Sequence, residues 1–76
     1  MLEIRKTESY AQWIDNLRDL QARARVQVRI ERLIAGNPGD ARAVGEGVSE
    51  LRIDYGRVSG VFYEAWARDC DLAGGW

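Results

Sequence analysis

The chain has 76 residues, eleven basic and twelve acidic side chains for a net charge of −1, one cysteine and no histidine. That length fits one small domain, whose core seldom yields more than ~3–5 kcal/mol without a staple or a partner. Cys70 alone cannot form an internal disulfide, and without histidine a zinc site lacks its usual ligands, while imidazole triads and histidine-pair ribonuclease chemistry are excluded. Catalysis, if present, must rest on Arg, Lys, Tyr or carboxylates. The N-terminal Met1 to Lys6 has no apolar run long enough for a signal peptide or a membrane span. These features predict a reduced, soluble, cytoplasmic protein with no cofactor, no metal and no membrane partner. A protein partner that completes its small core is expected.

Leu2 to Arg5 is short, with Leu2 and Ile4 on one face, and reads as an edge or first strand. Ser9 with Gln12 three residues on fits a capping box, and Tyr10, Trp13, Ile14 and Leu17 follow at helical spacing. This predicts a first helix from Ser9, with Tyr10 and Trp13 in the core. Asp19-Leu20-Gln21 reads as a corner, and a second helix is predicted from about Ala22 to Ala35. Its apolar stripe is Ala22, Val26, Ile30, Leu33 and Ile34. Gly36 suits the residue after the helix, and Asn37-Pro38-Gly39-Asp40 is a turn.

Charge is unevenly spread along this half. Arg18, Arg23, Arg25, Arg29, Arg32 and Arg42 fall within it, and between Asp19 and Asp40 the only acidic residue is Glu31. Arg25, Arg29 and Arg32 stand about a quarter turn from the apolar stripe. Two readings of that flank are open: a solvated face whose alkyl stems cover the core edge, or a surface for phosphates.

From Val48 the pattern alternates. Leu51, Ile53 and Tyr55 point one way, and Glu50, Arg52 and Asp54 the other, which predicts a half-buried strand under the helical hairpin. Gly45 and Gly47 before it suit a tight turn of positive φ. Arg52 is expected to pair with Glu50, Asp54 or a neighbouring strand. Gly56 to Gly60 reads as a turn and Val61 to Trp66 as a second strand of a hairpin. Ala67 to Trp76 shows neither period. The prediction is a three-stranded sheet with an unprotected edge.

Arg5-Lys6-Thr7, Trp13-Ile14, Leu17-Arg18-Asp19, Gly36-Asn37-Pro38-Gly39-Asp40 and Val44 through Tyr55 resemble the HigB-like branch of the RelE/ParE toxin superfamily. The resemblance runs from Leu2 to Gly56. It implies an α+β fold, with an N-terminal strand and helical hairpin packed on a small antiparallel sheet. It also implies a type II toxin, either a metal-independent, ribosome-dependent mRNA endonuclease or, as in ParE-like members, a poison of DNA gyrase. The implied partners are a cognate antitoxin, at residues the resemblance does not specify, and the ribosome with its mRNA. Arg52 and Arg57 are the candidate catalytic residues. Lys6, Arg25, Arg29, Arg32 and Arg42 are the candidate RNA or ribosome contacts.

Beyond Tyr55 the chain departs from the family pattern. Gly56-Arg57-Val58-Ser59-Gly60-Val61 stands where Gly-Pro-Gly-Tyr-Arg-Val is usual, so Gly60 occupies the place of a second arginine. One set of codons for Ala67 to Trp76, read a base later, encodes an apolar strand ending in Ala-Gly. The expectation is therefore a toxin domain over residues 1–66 and an aberrant, frameshifted tail over 67–76. The family's last strand and helix would be missing, leaving a chain that is impaired or retains only antitoxin binding.

Overall fold

The computed structural model describes residues 2–76. In chain order they form β1 (Glu3–Lys6), α1 (Glu8–Asn16), α2 (Leu20–Ile34), β2 (Ala41–Gly45), β3 (Val48–Tyr55), β4 (Val58–Trp66) and β5 (Asp69–Gly75). The fold is α+β, with two helices on a five-stranded mixed sheet of order β1-β5-β4-β3-β2 among the described residues. Neighbouring strands run antiparallel except β1 and β5, which are parallel.

Both helices begin earlier than the sequence pattern predicts. Thr7, not Ser9, caps α1: its hydroxyl accepts from the Tyr10 N–H at 3.2 Å and donates to the Leu72 carbonyl at 2.6 Å. The cap thus ties α1 to β5, a contact no local pattern could announce. Asp19 caps α2, its carboxylate accepting from the Gln21 and Ala22 N–H groups at 3.0 and 3.2 Å. The corner is therefore Leu17 to Asp19, and Leu20 and Gln21 belong to the helix. At the far end Gly36 has φ of +86° and donates to the Leu33 carbonyl, while Asn37 donates to Arg32, a Schellman ending.

The core is the predicted one, with additions. Tyr10 of α1 and Ala22, Val26, Ile30 and Leu33 of α2 are buried against Leu51, Val61, Tyr63, Cys70 and Leu72. Trp13, Ile14, Leu17, Ile53 and Tyr55 pack around its edge. α2 lies over β3, and α1 over β5.

Three sequence expectations are overturned. The sheet is neither three-stranded nor purely antiparallel, because β2 extends one side and β5 and β1 extend the other. Residues 67–76 are not an appendage to a domain ending at 66. β5 lies inside the sheet between β4 and β1, with Cys70 and Leu72 fully buried. The turn after Tyr55 is only Gly56-Arg57, so β4 begins at Val58. Asp69-Cys70-Asp71-Leu72 does alternate, but Asp and Gly are poor strand formers, and the pairing partners that hold them are far away in sequence. Gly75 has a packing role: a β-carbon there would come within 2.3 Å of the Trp13 ring, so α1 can lie this close only over glycine.

Candidate functional site

β3 divides two environments. Its Leu51 side faces the helices, and its Glu50, Arg52 and Asp54 side faces away. On that open face Arg42 of β2 stands opposite Glu50 in the ladder, and Gly60 of β4 opposite Arg52. Together with Ser59 and Trp76, the side chains of Arg42, Glu50, Arg52 and Asp54 border a recess of about 200 Å³.

Glu50 is the centre of this recess. It is only 3 % exposed although no helix covers it. The Arg42 Nε–H donates to its Oε1 at 3.2 Å, and the Trp76 indole N–H donates to Oε2 at 2.6 Å. Trp76 reaches this position because its backbone pairs with Gly60, and its ring stacks on Phe62 at 6.2 Å with 14° between planes. Gly60 makes the room: a β-carbon there would lie 2.8 Å from the Leu51 carbonyl oxygen and 3.0 Å from Glu50 Oε2. Gly60 is therefore the floor on which the Glu50 carboxylate rests.

Arg52 does not pair with Glu50. Its guanidinium stands 3.9 Å from the Asp40 carboxylate, and its side chain is about half exposed. The recess thus sets two guanidinium groups beside two carboxylates, Asp54 and the Glu50 held by Arg42 and Trp76. Glu50 was legible in the sequence only as a possible ion-pair partner. What singles it out is burial without a covering layer, which requires the positions of Gly60 and Trp76.

The other candidates are dispersed. Arg57, at the β3–β4 turn, lines a separate hollow with Leu17, Arg18 and Asp19 at the helix corner, so it is not brought together with Arg52. Lys6 lies at the edge of β1 beside Tyr10, Ile14 and Arg23. Arg25 and Arg32 are exposed along α2. Arg29 is engaged internally, donating to the carbonyls of Arg52, Pro38 and Asp40 at 2.5, 3.0 and 2.9 Å. It anchors α2 to the turn before β2 and to β3.

Cys70 is no nucleophile: burial, with Asp71 beside it, pushes its thiol up to about 11. Burial likewise raises Tyr10, against a smaller opposing effect of Arg23. Among the described residues no group of three or more His, Cys, Asp or Glu is spaced to hold a metal ion, and no helix is long and apolar enough to cross a membrane.

Over 56 residues the chain is 41% identical to an uncharacterized protein of Haemophilus influenzae. The match covers 74% of this chain and 57% of that protein, so the chain spans little more than half of its relative's length. No family model matches the chain, and no solved structure does.

Proposed function

We propose that this chain is a toxin of a type II toxin–antitoxin module, of the HigB- and RelE-like kind that cleaves mRNA on the ribosome. The observation that carries the reading is the open-face recess, where Glu50 lies beside Arg42 and Arg52 on adjoining strands. Support also comes from the order strand, helix, helix, strands, which is the arrangement the sequence resemblance implies. In such a reaction the ribose 2′-hydroxyl attacks the adjacent phosphorus, and the bond to the 5′ oxygen breaks. Glu50 takes the 2′ proton and returns it to the leaving oxygen, while Arg42 and Arg52 stabilise the charge on the phosphorane. Guanidinium cannot do the first task because it does not release its proton.

Two features favour a second reading, a non-catalytic form that retains antitoxin binding. Gly60 carries no guanidinium, and Trp76 and Arg42 already occupy both Glu50 oxygens. The test is cleavage of a defined mRNA on purified ribosomes, mapped by primer extension. The endonuclease reading expects cuts that Arg52→Ala reduces by ~100-fold or more without change in melting temperature, and that Glu50→Gln reduces as far while also lowering stability. Absence of cutting, with growth arrest retained and DNA supercoiling disturbed, would replace it with gyrase poisoning. Absence of all three leaves antitoxin binding as the function.

A further inference from the structure

On the opposite side of β3 from the recess, the exposed flank of α2 and the end of β3 enclose a groove of about 580 Å³. Its walls carry Arg25, Arg29 and Arg32, and no carboxylate lines it. Its floor is apolar. Val28 is 47% exposed, and Ala24, one helical turn before it, is exposed as well. The arginines differ in their freedom. Arg29 is held by three carbonyls, and Arg25 lies over the Tyr55 ring at 4.6 Å from its centroid. Neither Arg25 nor Arg32 forms an ion pair among the described residues.

We infer that this groove docks an acidic amphipathic helix of a partner protein. Arg25 and Arg32 are seven positions apart on one helix, roughly 10 Å along its axis, with Val28 between them. A second helix laid along α2 meets that spacing with two carboxylates seven residues apart and an apolar side chain between them. Arg25 is already fixed on Tyr55, and Tyr55 in turn donates its hydroxyl proton to Gln21 Oε1 at 2.5 Å. Two of the three arginines of the wall, Arg25 and Arg29, are therefore held before a partner arrives, which lowers the entropic cost of binding.

Single-stranded RNA fits the groove less well. A base needs an uncovered ring to stack on, and the Tyr55 ring is capped by Arg25. A phosphate backbone gains nothing from the exposed Val28 at the centre. This inference stands apart from the endonuclease reading, since it concerns a different face and needs no ribosome.

The test uses the full chain and a short designed helix with a Leu stripe flanked by Glu at heptad spacing, followed by fluorescence anisotropy. A Gln-for-Glu version of the helix and an oligouridylate of similar length serve as the comparisons. The Glu helix should bind, more weakly as salt is raised, and the Gln version should bind at least ~10-fold more weakly. Val28→Ser and Arg32→Gln should each weaken binding by a similar factor, with melting curves unchanged because both side chains are exposed. Arg32→Glu should restore affinity for a helix carrying Lys at the matching position. Binding of the Glu helix that ignores these substitutions would overturn the assignment. So would oligouridylate binding that depends on Arg32 in the absence of helix binding.

Discussion

The two faces of β3 are both buried at their midpoint, yet by different means. Leu51 is fully buried beneath α2, and Glu50, its neighbour, is 3% exposed on the face that has no helix. Leu51 is excluded from water by packing, where neighbours are replaceable in kind and the penalty for a gap grows with its volume. Glu50 is excluded by one indole, one guanidinium and the absence of a side chain at Gly60. A charge so placed is tolerated because both oxygens are bonded. The helix-covered face is thus insured by many contacts, whereas the open face depends on two hydrogen bonds.

The sharpest way to break the comparison is Leu51→Ala. It should cost about 2–5 kcal/mol by chemical denaturation, while Arg52→Ala on the other face should change stability by less than about 0.5 kcal/mol. Next in size, Trp76→Phe keeps a ring to stack on Phe62 but removes the donor to Glu50. It should cost about 1.5–3 kcal/mol, and Glu50→Gln on that background should recover part of the loss. An equal loss in both backgrounds would show that the indole acts by packing alone.

Alkaline titration probes the helix-covered face again. The Cys70 thiol has its ordinary value of 9.0 when unfolded and about 11 when folded, so the neutral form is favoured in the native state. Its contribution is fully present below pH 9 and is lost as pH rises through 11, a fall of about 2 kcal/mol by pH 11. In Cys70→Ala the stability between those pH values should be lower but flatter. The smallest effect belongs to the far end of β3. Tyr55→Leu removes the ring under Arg25 and should cost about 0.5–1 kcal/mol beyond the change in buried area, and should weaken binding of the acidic helix.

Much of the helix-covered face was legible in the residues. The stripe from Ala22 to Leu33 and the alternation of Leu51, Ile53 and Tyr55 reflect periods that a helix and a strand impose on any chain. Element starts were less legible: Thr7 and Asp19 cap through local bonds, in competition with other polar residues nearby, and only the Thr7 bond to Leu72 depends on the distant strand. β2 was not foreseen, since most of its side chains are exposed and its partner is needed to define it. β5 was misread as a structureless tail. Its Asp and Gly residues argue against a strand locally, and only the parallel pairing with β1 and the antiparallel pairing with β4 overrule that preference. Of the residues around the recess, Arg42 was named from the sequence as an RNA contact and Arg52 through the resemblance, Glu50 only as an ion-pair partner, and Arg57 lies at a separate hollow.

By itself the amino-acid sequence determined the two amphipathic helices, the central strand with its apolar and charged sides, and the arginine-rich flank of α2. These are matters of local spacing, and they hold whatever the rest of the chain does. Only the tertiary structure decided that β5 enters the middle of the sheet and that Gly60 lies opposite Arg52. The same assembly brings Trp76 across to Glu50. Those outcomes depend on which distant backbones pair, and strand pairing exchanges hydrogen bonds that every residue carries, so it leaves little trace in the side chains that a sequence records.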